Sequence, residues 1–482
     1  MTSSPPARRV VVVGAGIAGL AAAHRLRQLD AQLDVAVLEA GSRAGGIIET
    51  THREGWLIER SADGFLDEDP LTADLCRQLG LEGGLIGTQP EHRGAYVVHR
   101  GQLARVPAGF RLMSPGQLGP LLASPILSLR GKLRLLGEVF AKRRGGEGDE
   151  SLADFARRRL GRETYERLVE PLVAGIYAGD GEQLSMAATM PRFAQAERTA
   201  GSLIRDARRR GHAGSGDSAA RYALMRTLRG GLGGLTEALA ASVSNGGRIE
   251  TGANVLRLSR MPDGLWHLHI GRSADDPRPR ELGADAVIVT TAAPRAAKLL
   301  HGIDQALSDD LNRIESVGTV VVALGYRTDQ IEHPLDAFGM VVPRIEGRRL
   351  IAVSFSSVKY AGRAPEGYAL LRCFLGGALH PELVEADGGE LRQIVRDELA
   401  DLLGAEGEPL FAELARWPRS MPQYRVGHLE LVARIESGVS RLGGLALAGN
   451  AYHGVGIPQC VRSGYEAAES VLESLSLRER VG

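Results

Sequence analysis

Val10-Val11-Val12-Val13-Gly14-Ala15-Gly16-Ile17-Ala18-Gly19-Leu20-Ala21-Ala22-Ala23-His24-Arg25-Leu26 passes from an apolar β-branched strand through a glycine-rich turn into a helix. Asp34–Leu38 reads as a second strand and ends in Glu39. A G-x-G-x-x-G between strand and helix, followed by an acid at the end of the next strand, is the pattern of a dinucleotide site. Gly14 permits the tight turn, Gly16 lets the backbone approach a pyrophosphate, and Gly19 lets the helix pack closely on the strand. The helix N-terminus faces the phosphates. Glu39 is positioned to accept hydrogen bonds from ribose hydroxyls. A glycine turn that binds nothing would leave that acid unexplained.

The continuation chooses between cofactors. Glu39-Ala40-Gly41-Ser42-Arg43-Ala44-Gly45-Gly46 follows directly from the acid. A nicotinamide-only unit gives no reason for Arg-x-Gly-Gly here. Flavoprotein oxidases and desaturases use such a loop, with Arg43 near the phosphates and Gly45 and Gly46 beside the cofactor. FAD is therefore favoured over NAD. The bland alternative is that Arg43 is a solvated loop charge.

Composition bounds the function. A chain of 482 residues is long enough for several domain-sized cores. A formal net charge of +0 and 5% aromatic residues exclude a broad basic or base-stacking surface, so no nucleic-acid partner is expected. Cys76, Cys373 and Cys460 are far apart and form no C-x-x-C, so neither a disulfide framework nor a metal site is expected, and a reducing compartment fits. Met1–Arg9 lacks an apolar signal core, and no stretch approaches about 18 uninterrupted apolar residues. The expected location is cytoplasmic, peripheral at the inner face of the membrane. Leu118–Leu136 is apolar-rich but broken by Pro120 and Pro125. It reads as an ordinary packed helix, with a membrane-surface or channel-lining segment as the alternative.

Along the chain, Tyr96–Val98 and Gln102–Val106 read as strands around an Arg100-Gly101 turn, and residues 110–228 turn helical. Arg208–Ser218 reads as a flexible, solvated loop. Arg248–Leu258 reads as one strand and Ala284–Thr290 as another, both returning to the nucleotide domain. Val320–Tyr326, Gly339–Pro343, Leu350–Ser354 and Tyr368–Phe374 form a second sheet, and Leu391–Leu403 a helix. Leu445–Gly449 then leads through Asn450-Ala451-Tyr452-His453-Gly454-Val455-Gly456-Ile457 into a last helix. This is again strand, glycine turn, helix, and its open amides suit the polar chain of a flavin. His453 reads as structural rather than as a catalytic base, and Cys460 as a small packing residue.

With these motifs in hand, the chain resembles the oxygen-dependent porphyrinogen oxidases, the FAD enzymes of haem synthesis that act on protoporphyrinogen IX or coproporphyrinogen III. The likeness runs nearly end to end. Beyond the two glycine loops it includes Glu59–Leu66, Gly175–Ser185, Trp417-Pro418, Met421–Tyr424 and Gly427-His428. The resemblance implies an α/β, monoamine-oxidase-like flavoprotein with a split Rossmann-like FAD-binding domain (8–84, 229–298 and 425–476). A mixed-sheet substrate domain (85–228 with a helical, membrane-associated part, and 299–424) completes it. It implies FAD contacts at Gly14–Gly19, Glu39, Arg43, Gly45, Gly46, Ser61, Ala62, Asp63, Gly64, Val255, Trp417, Val455, Gly456 and Ile457. The substrate would be lined by Tyr177, Ala178, Gly179, Phe338 and Met340, with Arg93 and Arg100 as the basic groups nearest its carboxylates.

The implied reaction removes six electrons from a porphyrinogen, with oxygen as acceptor and hydrogen peroxide as product. The flavin drives it, and no catalytic side chain is nominated. Peripheral membrane contact, a homodimer and hand-off of the product to the next haem-pathway enzyme are further implications. The chain departs from the pattern in places. Ser61-Ala62-Asp63-Gly64-Phe65 stands where relatives often read Gly-Pro-Asn-Ser-Phe, and Ala95 precedes Tyr96 where mitochondrial-type members have an Arg. Coproporphyrinogen is the favoured substrate on that last ground. An amine oxidase or carotenoid desaturase on the same fold, or a Rab-escort-like carrier without a flavin, are the rival readings.

Overall fold

The computed structural model describes residues 8–146, 148–213, 224–271 and 279–481. The opening glycine motif belongs to a five-stranded parallel sheet. In spatial order its strands are Arg248–Thr251, Asp34–Glu39, Arg9–Val13, Ala286–Val289 and Leu445–Leu447. Val10, Val12, Val35, Val37 and Ile288 face the helices Ile17–Leu29, Gly233–Ser244 and Ile457–Val481. Val11, Val13, Ala36, Leu38, Val287 and Val289 face the other way, onto Trp266, Leu268, Leu299 and Val432. Apolar residues on both faces are what a doubly covered parallel sheet requires, and each fully buried valine or leucine contributes about 1.5–3 kcal/mol.

Arg248–Leu258 is two strands, not one. Arg248–Thr251 completes the parallel sheet, and Val255–Arg260 pairs antiparallel with Trp266–Ile270 in a separate three-stranded sheet. The break is at Gly252, whose φ of +69° turns the chain between two segments of similar apolar alternation. The expected division at 298/299 falls inside the helix Ala293–Leu300, and Leu299, Leu300, Leu307, Leu311 and Ile314 share the core on one face of the parallel sheet.

The second sheet has seven strands, ordered Phe411–Pro422, Ser316–Arg327, Tyr368–Gly376, Ala352–Phe355, Gly339–Val341, Tyr96–His99 and Gln102–Arg105. Phe411–Pro422 is invisible to pattern reading because Arg416, Pro418 and Arg419 interrupt its alternation. It is an edge strand with an irregular register near Val317 and Thr319, where such residues are tolerated. One face of this sheet, with Met340, Val342, Phe355, Leu371 and Cys373, is covered by the Gly388–Leu403 helix. The opposite face carries Arg372 and Ser354 and meets the parallel-sheet half.

A helical core around Phe155, Leu168, Val173, Tyr177 and Phe193 packs on Val97 and Val341 of that face. Leu118–Leu136 splits into the helices Leu118–Ala123 and Leu129–Leu136, because Pro125 stops the first. The basic run at Arg208 is helical through Ala213, within Leu203–Ala213, and the remainder of the expected loop lies outside the described residues. Among the described residues no helix is long and apolar enough to cross a membrane.

Candidate active site

Gly14 leaves the parallel sheet where its connections diverge to either side, the position at which doubly wound sheets bind ligands. Its amide donates to the Leu38 carbonyl at 2.8 Å. A Cβ on Gly19 would collide with the Gly14 carbonyl, whereas a Cβ on Gly16 would meet nothing within 4 Å. The helix thus seats directly on the turn and leaves Gly16 open to a ligand. No side chain caps the helix start at Gly16, so its first amides are available to phosphates. Thr290, unsignalled in the sequence, locks the turn from below by donating to the Val13 and Gly14 carbonyls, both at 3.0 Å.

Glu39 does more than wait for a ribose. Its carboxylate accepts from the Ala15 amide at 2.8 Å and the Gly41 amide at 2.7 Å, which ties the acid to the glycine turn. Each oxygen retains a lone pair for a hydroxyl. The Arg43 loop docks on the same turn, with the Gly45 amide donating to Ala15 O at 2.8 Å. The Arg43 guanidinium donates to the carbonyls of Ala44, Ile48 and Gly46 at 3.1, 3.2 and 2.6 Å, and pairs with Glu49 at 3.1 Å. It is a clasp on its own loop. Val255 follows directly on the Gly252–Ala253 turn, whose amides donate to the Gly41 and Glu39 carbonyls at 2.8 Å. The Val255 carbonyl accepts from Arg295 at 2.6 Å.

The Ser61–Gly64 loop is held from the other sheet. Trp417 Nε1 donates to Arg60 O at 2.8 Å, and Arg372 donates to Ser61 O. Asp63 takes Lys359 Nζ at 2.9 and 3.1 Å and lies 3.2 Å from an Arg372 nitrogen. Burial alone would raise the Asp63 carboxyl, but Lys359 and Arg372 pull it down to about 2. A Cβ on Gly64 would collide with the Tyr360 hydroxyl.

The closing glycine turn is braced by Tyr424, whose hydroxyl donates to Asn450 O at 2.6 Å and accepts from the Gly454 amide at 2.8 Å. His428 stacks on Tyr424 with ring centroids 3.9 Å apart and contacts the Tyr452 carbonyl at 3.0 Å, and burial holds its pKa down. The helix from Ile457 crosses the Ile17–Leu29 helix, where a Cβ on Gly464 would strike Ala18 O. Val455 packs against the helical core that contains Tyr177. His453 is exposed and paired with Glu436 at 2.5 Å, away from this enclosure. Cys460 is buried in the apolar core with its thiol pushed up to about 12.

At the expected substrate residues, Gln423 Nε2 donates to Tyr177 O at 3.1 Å, and the Tyr177 hydroxyl donates to Thr189 O at 3.0 Å. Ala178 takes a left-handed φ of +46° at the helix end. Gly179 has no room for a Cβ, which would lie 2.5 Å from Gln423 Oε1. The Tyr177–Gly179 turn and the Gly454 loop are therefore tied through Gln423 and Tyr424. Phe338 is buried, with its amide bonded to Gly94 O at 3.0 Å. Met340 points into the core under the Gly388–Leu403 helix, so its strand offers Gly339 and Val341 to the other face.

Register aligns Arg372, Ser354 and Gly339 across three strands, and the Met340–Tyr96 pairing continues the row to Ala95. The row starts at Arg372 beside Asp63, passes the small residues Ser354 and Gly339, and ends at Ala95, which lines a cavity of about 530 Å³. Arg93, Ala95, His99, Val106, Pro107 and Ser124 line that cavity, and the Arg93 Nε is buried with no hydrogen-bond partner. Arg100 is outside it, at an exposed hairpin tip where Glu346 binds its amide at 2.9 Å.

The model of the flavin-containing amine oxidoreductases matches residues 17–472. The chain belongs to this family. Among relatives, it is 32% identical to the coproporphyrinogen III oxidase of Bacillus subtilis (strain 168), over 97% of this chain and 98% of that one. It is 30% identical to the chloroplastic protoporphyrinogen oxidase of Nicotiana tabacum, over 97% and 86% of the two chains. A crystal structure described as a protoporphyrinogen oxidase from Exiguobacterium sp. 255-15 superimposes with a TM-score of 0.85 at 30% identity, covering 98% of this chain and 100% of that one. As a flavin-containing amine oxidoreductase the chain is an FAD-dependent enzyme, and the residues fit that cofactor. Gly16 is open, the first amides of its helix are uncapped, and Glu39 keeps acceptor capacity for a ribose.

Thr290, Lys359, Tyr360 and Arg372 carry no sequence signal. Each is a single residue in an ordinary segment: Arg372 in the Tyr368–Gly376 strand, Lys359 and Tyr360 at the end of the short Ser356–Lys359 helix, and only tertiary packing brings each to the loop it holds. Glu170 is a further case. It starts the helix that ends at Tyr177, and burial raises its carboxyl to about 7, against a bond from the Arg344 amide at 3.1 Å.

Proposed function

We propose that this enzyme oxidises a porphyrinogen to the porphyrin in haem biosynthesis, with coproporphyrinogen III rather than protoporphyrinogen IX as its substrate. The observation that carries the reading is the shape beside the cofactor loops. The aligned small residues Ser354, Gly339 and Ala95 suit a wide, flat macrocycle, and the row ends at a cavity lined by Arg93, whose buried Nε has no hydrogen-bond partner and suits a carboxylate. The relatives are named coproporphyrinogen III oxidases and protoporphyrinogen oxidases, which supports the porphyrinogen class, and Ala95 before Tyr96, where mitochondrial-type members have an Arg, favours coproporphyrinogen III.

In this reading Gly14–Gly19, Glu39, Arg43, Gly45 and Gly46 hold the adenosine and phosphate end of FAD, with the Val255 backbone beside it. Ser61–Gly64, Trp417 and Val455–Ile457 border its reactive end. Tyr177, Ala178, Gly179 and Phe338 wall the substrate space, with Arg93 at the carboxylate end. Met340 supports that wall from the core, while Arg100, at the hairpin tip outside the cavity, takes no part in it. Bound FAD supplies the redox chemistry, taking six electrons in three rounds, each closed by molecular oxygen with release of hydrogen peroxide. The chain's own work is to orient the macrocycle over that row and to shield it from water with Tyr177, Phe338 and Val341. It nominates no general base near these loops.

The segments 8–84, 229–298 and 425–476 form the FAD-binding part in this reading, and 85–228 with 299–424 the substrate part. Membership of the two sheets supports that division, except that Leu299–Ile314 packs with the FAD part, and Met225–Leu228 pairs with Phe65–Leu66 and Leu85–Gly87. Peripheral contact with a membrane belongs to the same reading. Leu129 is 75%, Leu133 62% and Phe140 84% exposed, with Lys142 and Arg143 close by around a cavity. A homodimer and hand-off of the product complete it.

The test is direct. The purified protein should show flavin absorption bands, and porphyrin fluorescence should rise on aerobic addition of coproporphyrinogen III well above autoxidation. Turnover of protoporphyrinogen IX alone would reverse the substrate choice. Flavin without turnover of either would favour an amine oxidase or desaturase reading.

A further inference from the structure

The Asp63 cluster carries more positive charge than it neutralises. Five ionisable side chains meet around the Arg60–Gly64 loop, namely Glu59, Asp63, Lys359, Arg363 and Arg372. Neighbouring Arg60 and Arg226 pair with other carboxylates, Glu49 at 3.2 Å, which Arg43 shares, and Asp67 at 3.5 Å. Of the five, the Glu59 carboxylate is already bound by Thr50 and the Leu232 amide, both at 2.7 Å, and burial pushes its pKa up. Lys359 and Arg372 share the single Asp63 carboxylate.

The surplus is also buried. Arg372 and Arg363 are each 1% exposed, and the Nε of each lacks a hydrogen-bond partner, as does the buried Tyr360 hydroxyl beside Gly64. An uncompensated cation and three orphaned polar groups in a dry site are costly unless something negative comes to them.

We propose that Lys359 and Arg372 are positioning residues for the flavin-facing loop, which they clamp to the substrate sheet, and that their surplus positive charge favours the reduced, negatively charged form of the bound flavin. The proposal rests on the reading of Ser61–Gly64 as a cofactor loop. Arg372 holds the loop through Ser61 O and faces Asp63, whereas Lys359 holds it through the Asp63 carboxylate, where its hydrogen bonds and its charge act together. A flavin ring gains negative charge on reduction, so a fixed cation nearby stabilises that state in a medium that screens weakly.

The experiment measures the reduction midpoint potential of the bound flavin, at fixed pH and salt, in the wild-type holoenzyme and in Lys359→Met, Asp63→Asn and Arg372→Lys. Thermal stability and the FAD dissociation constant are recorded alongside. Lys359→Met should favour the oxidised flavin about tenfold, a shift of about 30 mV to more negative potential for a two-electron couple. Asp63→Asn, which removes the opposing charge, should shift the potential in the opposite direction. Arg372→Lys keeps the charge but loses the fork to Ser61 O, so it should weaken FAD binding and leave the potential near wild type.

Potentials that do not move, or that move the same way in Lys359→Met and Asp63→Asn while stability falls, would reduce the cluster to a structural clamp and overturn the proposal. If Lys359→Met does not fold, the opposite-direction shift in Asp63→Asn still decides it. Wild-type protein that takes up no flavin would show in its spectrum that the cofactor reading itself had failed, and the proposal would fall with it.

Discussion

The Gly14–Gly19 turn is fixed by backbone hydrogen bonds and by close packing of small residues, while the Ser61–Gly64 loop is held by charged side chains reaching across from another sheet. The first arrangement involves almost no titratable group except Glu39. The second depends on a buried carboxylate shared by two cations, with Trp417 and Tyr360 filling in around it. Under the proposed function, one cofactor region then has a rigid end and an adjustable end. Packing sets a position and little else, whereas a charge cluster sets a position and a local potential together.

The comparison can be broken first at Arg372. Arg372→Met leaves Ser61 O unpaired and Asp63 with a single cation, and loss of one partner from a buried pair costs about 3–5 kcal/mol. A thermal melt should show this as the largest drop of any single change proposed here. A loss under about 1 kcal/mol would mean the loop is held by packing after all.

Glu170 supplies a second, pH-dependent contrast. Burial raises its folded-state pKa from 4.5 to about 7, so the native state binds its proton more readily than the unfolded chain does. That contribution to stability is fully present below the unfolded pKa and is lost as pH rises through about 7. A shift of this size corresponds to roughly 3 kcal/mol. Glu170→Gln should therefore melt well above wild type at pH 8 and close to it at pH 5. Asp63 behaves oppositely, since its pKa is depressed from 3.8 to about 2 and its contribution is lost only as pH falls through that value. Melting curves of both variants against pH would separate the two regions.

At the glycine turn, Gly19→Ala should cost about 1–3 kcal/mol through forced displacement of the helix from the Gly14 carbonyl. It should also reduce flavin content per protein, with no change in the pH profile. The smallest effect is expected at His453. It is exposed and paired only with Glu436, so His453→Ala should change stability by less than about 0.5 kcal/mol and leave turnover unaltered. Lost turnover there would return His453 to the chemistry.

The sequence alone determined what is local and contiguous. A strand, a glycine turn, a helix and an acid lie within Val10–Glu39, and their spacing specifies the dinucleotide turn because backbone geometry permits few other uses of it. The second turn at Gly449–Ile457 was legible for the same reason, as were the strands whose apolar residues alternate. The Phe411–Pro422 edge strand was not, because its prolines and arginines mimic a loop. Nor was the break at Gly252, where two strands of like pattern diverge.

What the tertiary structure decided is which distant residues meet. Register across Tyr368–Gly376, Ala352–Phe355, Gly339–Val341 and Tyr96–His99 brings Arg372, Ser354, Gly339 and Ala95 into one row. The same alternation turns Met340 into the core and Val341 out of it. Side chains in a strand choose their face with a period of two, so a one-residue change of register would reverse every one of these assignments. That choice is made by packing against the Gly388–Leu403 helix on one face and, on the other, a helical core around Phe155, Leu168 and Phe193 that is far in sequence from Gly339–Val341.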